Sequence, residues 1–243
     1  MSRVMVAADA FAGAVEQVLR AVSRDPKQPV LQCVLIEAGD GSLRLVSTDR
    51  LRLVVCELPV LDGAAASFRA LVPAGALESI DGDQHGTVTA GVDGAGASLE
   101  LQLGGQTHTL ALDRSEFPNY EKFLVADPEA HPLVVDRAAL ISAIEGLPDG
   151  EPLPFRFTEG GLELGDPVAI RLPAVYRGAG ISFVLNPAFA HDAAQSAAGP
   201  ELAIEAASAV SPVVIRSAGD DTYTGIVMPI RTRDSAPPRT RRR

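Results

Sequence analysis

The stretch LRLVSTDRLRLVV, residues 43–55, carries leucine or valine at every second position on both sides of a short polar segment, residues 47–50. Alternation with a period of two is typical of half-buried strands, and a short polar segment between two such runs favours a tight turn. We therefore predict a β-hairpin in which the Asp49 side chain caps the backbone of the turn. Arg44 and Arg52 are expected to point to solvent from the polar face of the hairpin.

The order of such patterns occurs twice along the chain. Apolar residues at helical spacing over residues 9–23 are followed by strand-like alternation, and a second helical pattern over residues 136–147 is followed in the same way. Each half then has a proline where a further helix is predicted to begin, Pro73 in the first half and Pro187 in the second. The repeat predicts two similar domains, each with the order helix, strands, helix, strands.

The predicted fold class is α+β, with two tandem domains that each pack two helices on antiparallel sheets. We expect a first domain over residues 1–125, a second over residues 126–231 and a disordered basic tail over residues 232–243. The stretch KFLVADPEAHP, residues 122–132, has the proline and acidic content of a connection between domains.

The composition favours a globular protein of the cytoplasm. Hydrophobic residues make up 47% of the 243 residues, which is enough to build a core in each domain. No apolar run approaches the roughly 20 residues that cross a membrane, and Asp9 and Glu16 stand where a secretory signal would have an apolar block. We expect no membrane partner. Cys33 and Cys56 lie in apolar runs without metal-site spacing, so both are predicted to be reduced core residues.

The charge is divided unevenly between the body of the chain and its C-terminal end. The net charge is −10, but six of the 21 basic residues and one of the 31 acidic residues lie in the last 13 positions, so residues 1–230 carry 15 basic and 30 acidic groups. A body this acidic repels phosphate backbones unless its few basic residues gather on one surface. The tail is rich in proline and arginine, and we expect it to be disordered with weak affinity for polyanions.

The sequence contains no arrangement of residues that is typical of catalysis. His85, His108, His131 and His191 lack the spacing of metal ligands, and neither a Gly-x-Ser-x-Gly motif nor a glycine-rich phosphate loop occurs. We therefore expect no cofactor and no bound metal. The residues alone favour a binding or structural protein over an enzyme.

Four stretches resemble the bacterial sliding clamp, the beta subunit of DNA polymerase III. They are VSTDRLRLVV (residues 46–55), EFPNYEKFL (116–124), FVLNPAF (183–189) and SPVVIRSAGDDTYTGIVMPIR (211–231). The resemblance implies two tandem DNA-clamp domains, the first like the family's middle domain and the second like its C-terminal domain, with helices facing the hole of a ring. It also implies a non-catalytic accessory subunit associated with a DNA-directed DNA polymerase.

In the family, the hairpin of the middle domain, the Phe-Pro-x-Tyr stretch at its end and the Met-Pro-x-Arg ending of the last domain line one pocket. The pocket receives short linear peptide motifs of polymerases, the clamp loader and repair proteins. By position, its members here are Leu31, Thr48, Arg50, Leu51, Arg52, Leu53, Pro118, Lys122, Phe123, Val210, Pro212, Ile226, Val227, Met228, Pro229, Ile230 and Arg231. Aliphatic walls and the adaptable Met228 suit a Leu or Phe anchor, while Arg52 and Arg231 can hold peptide carbonyls or carboxylates. The alternative is that Leu53, Val227 and Met228 are core residues and the site has decayed.

Two departures from the family concern DNA. The chain resembles only the middle and last of the family's three domains, so a six-domain ring would need three copies of the chain, a homotrimer. The helices that would line such a ring offer few cations, Arg20, Arg24, Lys27 and Arg137. We therefore expect only weak affinity for duplex DNA.

Two functions remain open on these observations. The first is a processivity factor that tethers polymerase and other partners to DNA through the peptide-binding pocket. The alternative is a clamp-derived adaptor or regulator that binds partner peptides without encircling DNA.

Overall fold

A computed structural model describes residues 3–80, 85–125, 127–128, 130–148 and 150–232. The chain divides into two units, residues 1–120 and residues 121–243. The sequence placed this division after residue 125, whereas the units divide after Tyr120. The tail predicted to be disordered lies outside the described residues from residue 233 onward.

The first unit contains eight strands and two α-helices within its described residues. They are β1 (Arg3–Ala7), α1 (Ala8–Leu19), β2 (Cys33–Gly39), β3 (Ser42–Thr48), β4 (Arg52–Pro59), β5 (Phe68–Pro73), α2 (Ala74–Glu78), β6 (Thr87–Val92), β7 (Ser98–Leu103) and β8 (Gln106–Ala111). A 3-10 turn, Pro29–Gln32, precedes β2.

Antiparallel pairing joins the strands of the first unit in two groups. One group has the order β1, β6, β7, β8, and the other has the order β4, β3, β2, β5. Helix α1 packs on β3 and β4 and buries Phe11, Ala14 and Val18. Leu43 and Leu45 of β3 are fully buried, because the alternating positions of this strand face the core.

The second unit contains nine strands and two α-helices within its described residues. They are β9 (Pro132–Asp136), α3 (Arg137–Glu145), β10 (Leu153–Thr158), β11 (Gly161–Leu164), β12 (Ile170–Leu172), β13 (Ala174–Val175), β14 (Ile181–Leu185), α4 (Pro187–Ser196), β15 (Glu201–Glu205), β16 (Val213–Ser217) and β17 (Asp220–Val227). A 3-10 turn, Glu121–Phe123, lies at its start.

The strands of the second unit are also antiparallel and form two groups. One group has the order β12, β11, β10, β14, and the other has the order β13, β9, β15, β16, β17. Helices α3 and α4 contact each other. Phe155, Phe157 and Phe183 form an aromatic cluster in the core, with Phe155 stacked on Phe183 at a ring-centroid distance of 5.4 Å.

The two units repeat one order of elements, as the sequence predicts. The first strand and helix of each unit, β1–α1 and β9–α3, are followed by a hairpin, β2–β3 or β10–β11, and the later helix follows β5 or β14 directly. Pro73 precedes α2 and Pro187 is the first residue of α4, because proline suits the start of a helix. The predicted α+β class with antiparallel sheets is confirmed.

Helix α1 is shorter than the periodicity predicts. The pattern extends to residue 23, but the helix ends at Leu19. The N–H of Ser23 instead donates to the carbonyl of Leu31 at 2.9 Å, so the chain turns back toward β2. A tertiary hydrogen bond therefore overrides the helical pattern over its last turn. Among the described residues, no helix is long and apolar enough to cross a membrane.

Candidate functional site

The turn between β3 and β4 is held by a dense set of local hydrogen bonds. Oδ1 of Asp49 accepts from the backbone N–H groups of Leu51 and Arg52, both at 2.9 Å. The Thr48 hydroxyl donates to the carbonyl of Arg52 at 2.6 Å and accepts from the N–H of Arg50, whose φ is 78°. The predicted hairpin and its Asp49 cap are therefore confirmed, and the turn presents Leu51 with 57% of its surface exposed.

Arg52 and Arg44 do not point freely to solvent, as the sequence led us to expect. Nε of Arg52 donates to Oδ2 of Asp49 at 3.1 Å, and the Arg52 side chain is only 16% exposed. Arg44 donates from Nε and Nη2 to Glu57 across the β3–β4 pair, at 3.2 and 2.9 Å. The carboxylates of Asp49 and Glu57 hold these guanidinium groups against the protein by charge-assisted hydrogen bonds. The alternation of a strand does not predict such pairs.

Other predicted pocket members of the first unit divide into buried and exposed groups. Leu31 and Leu53 are buried, with 2% and 5% exposure, so they support the fold from beneath the surface. Pro118 is exposed, and it lies between the buried aromatic residues Phe117 and Tyr120. The exposed members of the predicted pocket in the first unit are therefore Arg50 and Leu51 of the β3–β4 turn and Pro118.

The Phe117 and Tyr120 side chains anchor a stretch without regular structure. Their rings meet edge to face at a centroid distance of 6.4 Å. The Tyr120 hydroxyl donates to Oε2 of Glu37 at 2.6 Å and accepts from Nη1 of Arg44 at 3.4 Å. Burial and the Glu37 carboxylate raise the pKa of Tyr120 to about 12. These contacts leave no local signal in the sequence, because Tyr120 and Glu37 are 83 residues apart.

In the second unit, Lys122 and Phe123 lie in the 3-10 turn Glu121–Phe123. The Lys122 ammonium stands 4.9 Å from the centroid of the Phe123 ring, which is 38% exposed. Both residues line a cavity of about 460 Å³ together with Pro212 and Arg216. This cavity is thus bounded by apolar surface and by two cationic side chains, with Glu205 paired to Arg216 at 3.7 Å.

The C-terminal members of the predicted pocket follow strand β17. Ile226 and Val227 are buried with 2% and 1% exposure, whereas Met228, Pro229 and Ile230 are half-buried. The N–H of Ile230 donates to the carbonyl of Val184 at 2.8 Å, which holds this ending beside β14.

Two further members in the second unit are exposed. Arg231 is exposed directly after this ending, and Val210 is 39% exposed in the loop before β16. Ser208 braces that loop by accepting hydrogen bonds from the N–H groups of Val210 and Ser211.

The residues predicted to bind DNA differ in their intramolecular hydrogen bonds. Arg20, the first residue after helix α1, donates to Glu16 of that helix at 3.0 Å. Arg137 donates to the carbonyls of Gly199 and Gln195, at 2.8 and 3.4 Å. Arg24 and Lys27 are exposed in the segment after α1. Intramolecular acceptors therefore engage two of these four cations.

Within the part of the chain that the structure describes, no group of three or more His, Cys, Asp or Glu side chains is arranged to hold a metal ion. Cys33 and Cys56 are both free thiols in the core, in the positions that the sequence predicts.

Comparison with known proteins defines the class to which this fold belongs. Residues 5–118 match the family model for the DNA polymerase III beta subunit, central domain. The chain is 30% identical to the beta sliding clamp of Streptomyces coelicolor over 93% of this chain and 66% of the relative. It is 30% identical to the beta sliding clamp homolog GriR of Streptomyces muensis over 77% of this chain and 53% of that relative.

Solved sliding clamps have the same fold. The Bacillus subtilis clamp superposes with a TM-score of 0.85 at 18% identity and the Thermotoga maritima beta subunit with 0.84 at 22%, covering 95% and 96% of this chain. These matches cover 64% and 66% of the two solved chains. Fold and relatives together define a protein of the sliding-clamp class. The chain belongs to the bacterial DNA polymerase III beta subunit family and covers its central and C-terminal domains. It spans about two thirds or less of the relatives that it matches.

Proposed function

We propose that this protein is a clamp-like accessory factor that captures short linear peptide motifs of polymerase, clamp-loader or repair proteins. The observation that carries the proposal is the β3–β4 turn, where Asp49 fixes the backbone while Leu51 remains 57% exposed. An exposed leucine on a rigid turn gives apolar contact area without a large cost in ordering the site. Membership in the sliding-clamp family supports a partner of the polymerase class.

The side chains proposed for the pocket suit an extended peptide with an apolar anchor. In the first unit, Leu51 provides exposed apolar surface. In the second unit, Phe123 and Val210 do the same, and Met228 is a flexible side chain that adapts to Leu or Phe. Arg50 and Arg231 are exposed cations that can bind peptide carbonyls or carboxylates. Because Leu31, Leu53, Ile226 and Val227 are buried, we assign them to the support of the site and not to contact with the peptide.

Binding of a fluorescein-labelled peptide with a Leu-Phe pair tests this proposal by fluorescence anisotropy. We expect micromolar affinity, and we expect Leu51→Ala and Met228→Ala to weaken binding by about 1–3 kcal/mol, as truncation of hot-spot residues does. Leu61→Ala is the matched control, since Leu61 is 60% exposed in the same unit but outside the proposed pocket. Equal binding by the wild type and all three variants would remove the pocket assignment.

Arg52 requires a separate control. Its guanidinium completes the turn by pairing with Asp49, so Arg52→Ala changes the turn as well as any peptide contact. A loss of peptide affinity in Arg52→Ala counts for a direct contact only if Asp49→Asn, which retains the turn acceptor, leaves the affinity unchanged.

A second function, an adaptor that does not encircle DNA, is favoured by the engagement of cations within the protein. Arg20 is paired with Glu16, and Arg137 donates to two carbonyl groups. Cations that are engaged by intramolecular acceptors neutralise fewer phosphates, so the described helices would hold duplex DNA weakly. The two functions differ in whether copies of the chain assemble into a ring, and native mass separates them.

A further inference from the structure

The stretch that carries Pro118, residues 112–120, forms neither helix nor strand. At its start, the N–H groups of Leu112 and Asp113 donate to the carbonyls of Ala97 and Leu71, at 3.1 and 2.8 Å, and the N–H of Ser115 donates to Oδ1 of Asp113 at 2.7 Å. After Ser115, the buried side chains of the stretch are Phe117 and Tyr120, with 4% and 3% exposure. The position of the exposed Pro118 therefore depends on two aromatic anchors.

The phenol group of Tyr120 is hydrogen-bonded to a network of charged side chains on strands β2 to β5. Its O–H donates to Oε2 of Glu37 at 2.6 Å, while Oε1 of Glu37 lies 3.3 Å from Nη1 of Arg69. Arg44 donates to the phenol oxygen and to Glu57. A phenol that donates to a carboxylate and accepts from a guanidinium is more strongly held than one with neutral partners.

We propose that Tyr120 is a positioning residue of the peptide-binding site and that the Tyr120 clasp, formed by Tyr120, Glu37, Arg44 and Arg69, sets the placement of Pro118. The inference rests on the proposed peptide-binding function for its consequence, but the clasp is testable without a ligand. The aromatic ring fills the core, and the hydroxyl fixes the chain. Removal of the hydroxyl keeps the ring but takes from Oε2 of Glu37 its Tyr120 donor, while Oε1 keeps its pairing with Arg69. The stretch therefore loosens while the sheet stays intact.

Hydrogen–deuterium exchange followed by mass spectrometry tests the clasp in the full chain. In Tyr120→Phe, we expect amide exchange in residues 115–124 to become about tenfold faster, with exchange in β2–β5 unchanged. Glu100→Gln is the matched control, because it removes the Arg3–Glu100 ion pair from the other sheet of the same unit. Faster exchange throughout the first unit, or exchange equal to the wild type, would overturn the proposal.

Rescue by a conservative variant separates positioning from general stability. Gln at position 37 retains an oxygen that accepts the Tyr120 hydroxyl, whereas Leu does not. We expect Glu37→Gln to exchange nearly as the wild type and Glu37→Leu to exchange as Tyr120→Phe does. Equal exchange in the two Glu37 variants would contradict the role of the hydrogen bond.

The consequence for function is measured with the fluorescein-labelled Leu-Phe peptide. We expect Tyr120→Phe to bind it about five- to tenfold more weakly, through faster dissociation. If the wild type does not bind the peptide, the proposed function fails, while the exchange data still decide whether the clasp exists. If the peptide binds and Tyr120→Phe keeps wild-type affinity despite faster exchange, the clasp does not position the site and this inference fails alone.

Discussion

The Asp49 carboxylate fixes the β3–β4 turn by satisfying two backbone N–H groups at once. We predict that Asp49→Ala lowers the free energy of unfolding by about 1–2 kcal/mol. The backbone N–H groups of Leu51 and Arg52 and the Arg52 guanidinium then lose their acceptors. Asp49→Asn keeps Oδ1 as an acceptor and should lose less than half as much. Urea denaturation measures both variants, and equal losses would mean that charge, not the turn hydrogen bonds, stabilises the hairpin.

Burial also determines the pKa, and therefore the reactivity, of the two cysteine thiols. Burial raises the pKa of Cys33 to about 11 and that of Cys56 to about 12. Only the thiolate is nucleophilic, so at pH 8 both groups remain protonated and unreactive in the folded protein. We predict that a disulfide reagent labels neither thiol within minutes at pH 8 and labels both in urea. Rapid labelling of the folded protein would show that a core strand opens easily.

At the scale of the elements, the stability of helix α4 depends on its N-cap side chain, Asn186. Oδ1 of Asn186 accepts from the N–H groups of Ala188 and Phe189, at 2.9 and 3.4 Å. We predict that Asn186→Ala costs about 1 kcal/mol of stability, whereas Asn186→Asp keeps the acceptor and adds a favourable charge at the helix start. Thermal unfolding compares the two, and a stability order with Ala above Asp would contradict the cap.

The elements that the sequence predicted well are those whose signal is local. Alternation located β3 and β4, the prolines located the starts of α2 and α4, and the internal repeat anticipated one element order for both units. The Tyr120 clasp and the early end of α1 were not predictable, because their partners Glu37 and Leu31 are set by tertiary folding. The predicted pocket list likewise mixed exposed Leu51 with buried Leu53, because Leu51 lies in the turn, outside the alternation of β4, whereas Leu53 lies within β4.

At the scale of the whole molecule, the distribution of charge governs any affinity for DNA. Residues 1–230 carry 15 basic and 30 acidic groups, so the basic tail holds a large share of the positive charge. We predict that deletion of residues 232–243 removes most of any affinity for a labelled DNA duplex, measured by anisotropy over a range of salt concentrations. Retained binding with a steep salt dependence would mean that the body presents a basic surface after all.

The native mass decides between a ring and an adaptor. Strand β8 lies at the edge of its sheet and exposes Thr109, so its outer backbone groups can pair with a strand of another copy. If three copies close a ring, light scattering after size exclusion should give three times the protomer mass, and Thr109→Lys should shift the protein toward monomer because a charged edge disfavours pairing. Thr87→Lys, at an exposed position of the interior strand β6, is the control and should leave the mass unchanged. A monomer at every concentration would contradict ring assembly by this chain alone and would leave peptide capture as its proposed role.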